Sequence, residues 1–394
     1  MLTLRNETEA TILQVLAKGV PLSRAELARE MGVTRSTVGA PTARLLDLGL
    51  LRFADPLDTD PKTAVRRFGR PGERLELTPG FCTFAAVDIS FGCIKVGLTD
   101  TLGGIVAFRS RDIAPAEQTA EATMAAVAEL TRALIDGRDD VAGLAVSVPG
   151  VVTDNGLILR APTLGWRDVP LTAQLRDSLP RIDRLHVSND ASLYAAAFSN
   201  RHPDRLGGNA IVVWMDAGIG GGLVANGTVI NGNAGLAGEI GHMFISARDG
   251  AAMHRLEDIA GYAALMSRSR ALGGSADSIE SLLDEYRAGH PGTRRALQDW
   301  SRALAEGLTN LTSLMDPGVM LFSGPMAAIL KELEAETFAA YTSMLQYGTP
   351  PARWRIELSD DRTLVRAGAI MLRHDLFTFG EGAMGRAASG LRLA

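Results

Sequence analysis

The chain has 394 residues, of which 46% are hydrophobic and 22% are charged, a composition typical of folded globular proteins. Its length exceeds that of one ordinary domain, so we expect several lobes. No apolar run approaches the roughly 20 residues that a membrane span requires. Arg5, Glu7 and Glu9 also interrupt the start of the chain, where a signal peptide would be apolar. A cytoplasmic protein with no membrane partner is therefore expected.

The formal net charge of -5 hides an asymmetry along the chain. Residues 1–75 contain 12 Lys and Arg against 9 Asp and Glu, an excess of three positive charges, so the remainder carries a net charge of -8. Small domains often carry such an excess on solvated faces. It indicates a nucleic-acid partner only if the fold brings the charges together.

The amino-terminal segment shows the pattern of a helix-turn-helix. Residues 7–18 place apolar side chains on one helical face, and a Ser-Arg-Ala-Glu capping box at Ser23 begins a second helix that Gly32 ends. A third helix is predicted over residues 35–48. Polar and basic residues near the start of such a recognition helix contact DNA, and the candidates are Arg35, Ser36, Thr37 and Arg44. A small helical bundle of another function fits the same pattern.

Residues 50–53 and 73–77 are predicted to form two short strands joined by a polar loop that contains Lys62, Arg66, Arg67 and Arg70. This loop predicts a basic wing, in which Arg70 reaches a minor groove. A proline-stiffened interdomain linker fits the same residues. Pro41 lies inside the predicted recognition helix, so we expect that helix to kink or to begin late.

From residue 84 the pattern changes to apolar strands alternating with helices. A strand-turn-strand arrangement over residues 84–113 recurs over residues 210–231, where the glycine-rich run 218–222 is predicted to be a turn. This pattern predicts an α/β domain with two related lobes. The predicted boundaries are 1–78 for the winged helix, 79–200 for the first lobe, completed by a C-terminal segment at about 365–394, and 201–364 for the second lobe.

These motifs resemble the ROK family, which groups bacterial sugar kinases with repressors that carry an added winged helix. The resemblance covers nearly the whole chain and rests on Arg24-Ala25-Glu26-Leu27-Ala28, Gly69-Arg70-Pro71, Ser147-Val148-Pro149-Gly150, Leu164-Gly165-Trp166, Asn189-Asp190, the run 218–222 and Gly238-Glu239-Ile240-Gly241-His242. It implies a winged helix-turn-helix fused to a two-lobed, actin-like and sugar-kinase-like (RNase H-like) domain.

The resemblance also implies a sugar site. Asp190 matches the aspartate that takes a proton from the attacking sugar hydroxyl in the family's kinases. Asn189, Glu239, His242 and Glu257 match side chains that bind the other hydroxyls, and Gly150 matches a backbone contact. As isolated residues, Asn189 and Asp190 are equally explained as a helix cap and His242 as a core histidine. As a set, they predict a polyol site.

The positions that would bind phosphate differ from those of the family's kinases. Residues 88–92 read Asp-Ile-Ser-Phe-Gly instead of Asp-Ile-Gly-Gly-Thr, and residues 216–220 read Asp-Ala-Gly-Ile-Gly instead of Gly-Thr-Gly-Ile-Gly. Bulk and negative charge at these turns disfavour a polyphosphate. Ser323-Gly324-Pro325 also departs from the glycine pair near the adenosine. We therefore expect neither ATP binding nor kinase activity.

Family members usually have a cysteine-rich, zinc-binding loop after the histidine that matches His242. Residues 243–256 contain no cysteine, and His254 is expected to be a surface residue. No metal and no cofactor are predicted.

The sequence thus predicts a homodimeric or higher-order transcriptional regulator, more specifically a repressor, that binds double-stranded operator DNA and a sugar or sugar-derivative effector. An active ATP-dependent sugar kinase is the alternative enzyme hypothesis. A regulator controlled by a protein partner, with a vestigial cleft, is the third.

Overall fold

The computed structural model describes residues 4–55, 73–206, 208–246, 253–346 and 348–379. Within them, the amino-terminal elements form a winged helix: α1 (Glu7–Leu16), β1 (Leu22–Ser23), α2 (Arg24–Glu30), α3 (Arg35–Asp47), β2 (Leu51–Phe53) and β3 (Arg74–Leu77). The three strands form an antiparallel sheet in the order β1-β3-β2. The predicted capping box is confirmed, because the Ser23 amide donates to Glu26 at 2.9 Å and the Glu26 amide donates to Ser23 Oγ at 3.3 Å.

The recognition helix does not begin late, contrary to the expectation from Pro41. Helix α3 runs without a break from Arg35 to Asp47. Proline removes only the amide that would bond to Thr37. The next residue, Thr42, uses its hydroxyl to donate to the carbonyls of Val38 and Gly39, at 2.7 and 2.9 Å.

The two predicted lobes are confirmed as two sheets with the same topology. The first lobe contains β4 (Thr83–Ser90), β5 (Cys93–Asp100), β6 (Ile105–Asp112), α4 (Ala120–Ile135), β7 (Val141–Val148), β8 (Val151–Val152), β9 (Ile158–Ala161), β10 (Trp166–Val169), α5 (Leu171–Ser178) and β11 (Leu185–Asn189). Its main sheet has the order β11-β7-β4-β5-β6, and β10-β9-β8 form a smaller sheet. Helices α6 (Asp190–Arg201) and α7 (Pro203–Leu206) lead to the second lobe.

The second lobe contains β12 (Ala210–Met215), β13 (Ile219–Ala225), β14 (Thr228–Ile230), β15 (Phe244–Ser246), β16 (Met253–Arg255), α8 (Glu257–Ala260), α9 (Tyr262–Ala271), α10 (Ile279–Arg287), α11 (Pro291–Met315), β17 (Val319–Ser323), α12 (Ala327–Glu332), α13 (Glu334–Met344) and β18 (Arg353–Ile356). The chain then returns to the first lobe as α14 (Thr363–Leu376). Its main sheet has the order β14-β13-β12-β17-β18. In both main sheets a three-stranded antiparallel meander is extended by two parallel strands.

The glycine-rich run 218–222 was expected to be a turn, but most of it lies in strand β13. A Cβ at Gly222 would lie 2.3 Å from Ala195 Cβ and 2.9 Å from the Ala191 carbonyl oxygen, and one at Gly220 would lie 3.0 Å from Ala191 Cβ. These glycines therefore allow the backbone of α6 to approach the strand closely. The glycines of this run are therefore needed for the packing of α6 on β13, whereas the sequence pattern had suggested that they form a turn.

Helices α6 and α14 connect the parts of the molecule. They pack against each other, while α14 also packs on β4 and β7 and α6 packs on β12 and β13. Leu372, Leu376 and Phe377 at the end of α14 are buried in the same apolar core as Leu13 and Leu16 of α1. The Gln14 side chain also donates to the Phe377 carbonyl at 3.3 Å. The winged helix is thus packed directly against the large domain. No helix in the described ranges is both long and apolar enough to cross a membrane.

The packing of α6 on β13 makes a testable prediction for Gly222→Ala. The added methyl group overpacks the contact, and such changes typically cost about 1–3 kcal/mol. Because about 1 kcal/mol corresponds to roughly 2–4 °C in a domain of 150–250 residues, the melting temperature measured by circular dichroism should fall by several degrees. Gly80→Ala is the matched control, since a Cβ there meets nothing within 4 Å. Equal melting temperatures for the two variants would contradict the packing argument.

Candidate effector site and DNA-binding surface

Asn189 joins two strand ends of the first lobe. It is the last residue of β11 and caps α6, where its Oδ1 accepts from the Ser192 amide at 3.2 Å. Its Nδ2 donates to the Gly150 carbonyl at 2.9 Å. Gly150 has a φ of 118°, and a Cβ there would lie 2.3 Å from the Arg160 carbonyl oxygen, so only glycine fits. Asn189 is therefore a helix cap, as the simpler hypothesis held, but it also positions Gly150.

The second lobe contributes a histidine between two carboxylates. His242 Nε2 lies 3.6 Å from Glu239 Oε2, and His242 Nδ1 lies 3.5 Å from Glu257 Oε1. The His242 side chain is 37% exposed, so it is not a core histidine. Glu257 opens helix α8, where a carboxylate interacts favourably with the helix dipole. The three side chains together offer hydrogen-bond acceptors and donors at an accessible surface.

Asp190 directly follows Asn189 and is electrostatically close to Glu239. Its Oδ1 accepts from the Ala191 amide at 2.7 Å. The pKa of Asp190 is raised to about 8, chiefly by burial and also by the neighbouring Asp216, Asp88 and Glu239, against the lowering effect of that amide. All six predicted effector residues are thus gathered where the two lobes meet, a region that we call the cleft.

Two further carboxylates stand near Asp190. Burial raises the pKa of Asp88 to about 6, opposed by Lys95, whose Nζ lies 3.7 Å from Asp88 Oδ2. The pKa of Asp216 is also raised, again chiefly by burial. Lys95 opposes the rise at both Asp88 and Asp216, and its Nζ also lies 3.3 Å from Asp361 Oδ1. The region is therefore poor in positive charge where a kinase would bind phosphates.

The β4–β5 turn that carries phosphate contacts in kinases is closed by the protein itself. The Gly92 amide donates to Gln118 Oε1 at 2.8 Å, and Gln118 Nε2 donates to the Ser90 carbonyl at 2.7 Å. Phe91, beside this amide, is 52% exposed. Gln118 was missed by the sequence analysis, since it lies 26 residues from Gly92 and belongs to no motif.

The predicted departure at residues 323–325 has a structural role. Gly324 has a φ of 99°, and a Cβ there would lie 2.4 Å from the Met215 carbonyl oxygen. Ser323 Oγ donates to the Glu357 carbonyl at 2.8 Å. These residues therefore hold the ends of β12, β17 and β18 together.

The described residues do not fit a zinc ion. No group of three or more His, Cys, Asp or Glu side chains in these ranges is arranged to hold a metal. His254 is exposed on β16, as expected, and pairs with Ile245 across a two-stranded hairpin. The hairpin is instead secured by buried Leu256 and by the Ser246 amide, which donates to Glu306 at 2.6 Å.

The start of α3 presents an exposed polar surface. Arg35, Ser36 and Thr37 are all exposed, as a DNA-contacting role requires. The Thr34 hydroxyl lies 2.8 Å from the hydroxyls of both Ser36 and Thr37, which orders this surface. The sequence analysis missed Ala40 and Ala43, which are exposed on the same helix face one and two turns after Ser36. Their small size permits close approach to a groove.

Arg44, the fourth predicted DNA contact, is less exposed than the other three. Its Nη1 lies 2.6 Å from Oε2 of Glu9, which is only 2% exposed. Because a buried carboxylate needs a partner, this pair holds α3 against α1. Arg70 and the other basic wing residues lie outside the described residues.

The comparisons with known proteins agree with both parts of this architecture. The ROK family matches residues 84–371, and the MarR family matches residues 3–59. The xylose repressor of Bacillus subtilis (strain 168) is 22% identical over 352 residues, which cover 85% of this chain and 87% of that protein. A glucokinase of Halalkalibacterium halodurans is 31% identical over 176 residues, which cover 43% of this chain and 52% of the glucokinase.

A solved ROK family transcriptional regulator, a homologue of the E. coli MLC protein, has the same fold. It matches with a TM-score of 0.72 at 18% identity, over 94% of this chain and 96% of that one. A winged helix fused to the two-lobed domain defines a DNA-binding transcriptional regulator. The chain belongs to the ROK family, as the sequence motifs predicted.

The raised pKa of Asp190 predicts a pH-dependent stability. The folded protein keeps this carboxyl protonated up to about pH 8, whereas its ordinary pKa is 3.8. The folded state then binds more protons than the unfolded state between these values, so this group makes stability fall as pH rises. Asp190→Asn removes that loss. We therefore compare the melting temperature of Asp190→Asn minus that of the parent at two pH values. This difference should be larger at pH 8 than at pH 5 by roughly 3 °C or more.

Asp183→Asn is the control, because Asp183 is exposed and outside the cleft. Its difference from the parent should be the same at both pH values. If Asp190→Asn behaved like this control, the carboxyl of Asp190 would be ionised in the folded protein and the described charge distribution would be wrong.

Proposed function

We propose that the protein is a repressor that binds operator DNA through its winged helix and is controlled by a sugar or sugar derivative bound in the cleft. The observation that carries this proposal is that α6 and α14 pack together and connect the cleft with the winged helix. Helix α6 begins at Asn189 and Asp190, it packs on α14, and α14 ends in the core of the winged helix. A ligand at one end is thus connected to DNA contacts at the other.

The DNA contacts are proposed to come from Arg35, Ser36 and Thr37. The amino terminus of α3 carries unsatisfied amides and a partial positive charge, which favour phosphate, and Arg35 adds a full charge. The exposed alanines of α3 let the helix lie deep in the major groove. Arg70 remains a proposed minor-groove contact from the sequence alone.

The cleft residues suit a polyol. Sugar hydroxyls are both donors and acceptors, and the site offers carboxylate acceptors at Glu239 and Glu257 and an amide at Asn189. Asp190 with a pKa of about 8 is mostly protonated at pH 7, so it can donate a hydrogen bond to a ligand oxygen. Xylose belongs in the first ligand panel because one relative is named a xylose repressor.

The same features argue against the sugar kinase alternative. The Gly92 amide is already bonded to Gln118, and Asp216, which the kinase motif lacks, would repel a triphosphate. We therefore propose that the protein has no kinase activity and needs no metal or cofactor. Sugar-dependent release of ADP that disappears in Asp190→Ala would overturn this part.

The proposal includes a homodimer or higher oligomer, because two-fold related winged helices match a two-fold symmetric operator. A lobe movement around the ligand would change the spacing of the two recognition helices. For the sugar to shift the population of lobe positions in this way, it must bind one position more tightly than the other.

The DNA-binding half is tested by fluorescence anisotropy with DNA from the protein's own promoter region. Affinity should fall steeply as salt rises, because phosphate contacts release counterions. Arg35→Ala should weaken binding and lower the slope of log K against log salt by about 1. Ala40→Glu should abolish binding, because it places bulk and negative charge on the groove face. Ala339→Glu, at an exposed alanine of α13, is the matched control. Salt-independent binding, or full binding by Ala40→Glu, would contradict the proposed surface.

The sensing half is tested by a thermal-shift screen of sugars, followed by operator titrations with the best ligand. The ligand should change operator affinity by roughly 5- to 150-fold, an ordinary allosteric coupling of about 1–3 kcal/mol. Glu239→Gln should bind the ligand about tenfold more weakly, with ligand-free DNA binding unchanged, because a charged acceptor is lost. Glu336→Gln, exposed on α13, should behave like the parent. A ligand that bound tightly without changing operator affinity would refute the sensor function.

A further inference from the structure

A second cavity lies away from the candidate effector residues, between α6, α14 and the segment that follows β18. Its volume is about 170 Å³, and its lining includes Phe198, Arg201, His202, Glu357, Arg366 and Ile370. This volume is roughly six times the ~30 Å³ that a water molecule occupies in the liquid, so the cavity suits a small ligand or one group of a larger one.

The electrostatics of this cavity are positive. Arg201 and Arg366 line it, and Arg355 and Arg205 stand close to its His202. The pKa of His202 is lowered to about 4, chiefly by burial and also by the neighbouring Arg205, Arg201 and Arg355. His202 therefore adds no positive charge at pH 7, and the charge near it comes from these arginines.

The nearby carboxylates leave two of these arginines without an ion-pair partner, whereas Arg366 is paired with Asp360. Glu357 accepts a hydrogen bond from the Tyr194 hydroxyl at 3.2 Å, and Asp360 is held by Arg366 Nη1 at 2.9 Å. Among the side chains that the structure describes, Arg201 and Arg355 form no ion pair. Unpaired arginines on adjoining elements are an arrangement that an anion would stabilise.

The position of Arg355 follows from the alternation of strand β18. Trp354 and Ile356 pack against the helical core of the second lobe. Arg355 lies between them in sequence, so it points to the opposite sheet face, on which α6 lies. Arg201, near the end of α6, and Arg366, in the second turn of α14, approach the same place from two other elements.

We propose that this cavity binds the phosphate group of a small phosphorylated metabolite, with Arg201, Arg355 and Arg366 as its ligands. A phosphate monoester carries about −1.5 to −2 charges at pH 7 and three acceptor oxygens. It can therefore bind several guanidinium groups at once, whereas a carboxylate has one charge and two oxygens. The planar guanidinium binds such oxygens in pairs. The ligand makes this contact on the outer side of the α6–α14 crossing, apart from the polyol site.

The location gives the site a regulatory consequence, which rests on the proposed function. Helices α6 and α14 connect the cleft with the winged helix, and an anion that ties Arg201 of α6 to Arg366 of α14 would restrain their relative movement. Phosphorylated metabolite would then alter the effect of the sugar on DNA binding without occupying the sugar site.

The binding itself is tested on the full chain without sugar or DNA, so that its failure is distinct from a failure of the proposed function. Inorganic phosphate at millimolar concentration, compared with potassium chloride at equal ionic strength, should raise the melting temperature along a saturating curve. The double variant Arg201→Gln/Arg355→Gln should show an apparent Kd at least tenfold weaker. Arg302→Gln, at an exposed arginine of α11, should keep the Kd of the parent within twofold.

Broadening of the phosphate signal in ³¹P NMR gives an independent measurement, and circular dichroism verifies that the variants are folded. If the melting temperature rose linearly, and equally in the parent and the double variant, phosphate would act only as a general stabilising salt and the proposal would be wrong. The proposal would also be overturned if phosphate did not raise the melting temperature of the parent. The same holds if the ³¹P signal were not broadened, or were broadened equally without Arg201 and Arg355.

Discussion

The close packing of α6 on β13 is the constraint on which the rest of the large domain depends. Gly220 and Gly222 face Ala191 and Ala195 at distances that leave no room for another side chain. This contact fixes the first turn of α6, and with it Asp190, relative to the second lobe. The candidate effector site can therefore combine strand ends of one lobe with Glu239, His242 and Glu257 of the other.

The same helix explains how a sugar-binding fold can serve DNA binding. Helix α14 packs on α6 and on the first sheet, and its end shares a core with the winged helix. In the proposed function, a movement of the lobes would change the packing that supports the DNA-binding domain. In the cleft, burial raises the pKa of Asp88, Asp190 and Asp216, and neighbouring carboxylates contribute to the rise at Asp88 and Asp190. Of these three, Asp216 is the carboxylate that the kinase motifs lack, and its charge disfavours a bound phosphate.

Much of this architecture could be predicted from the sequence, because local signals decide it. The capping box at Ser23 and the two meanders were located within a few residues of their observed bounds. The family motifs also identified residues that the structure brings together where the two lobes meet. Contacts between residues distant along the chain could not be predicted from local patterns. Glu9 pairs with Arg44, the glycines of β13 allow α6 to pack closely, and Gln118 closes the turn at Gly92.

The central claim is that the effector signal passes through the contact between α14 and the winged helix, and Phe377→Ala tests it most directly. Phe377 is 1% exposed in the shared core, whereas Phe379 is 47% exposed, so Phe379→Ala is a matched control. The measurement is the change in operator affinity that saturating effector causes in each folded variant. The account predicts that Phe377→Ala still binds effector and operator but loses most of this change, while Phe379→Ala keeps it. An undiminished effector response in Phe377→Ala would contradict the account.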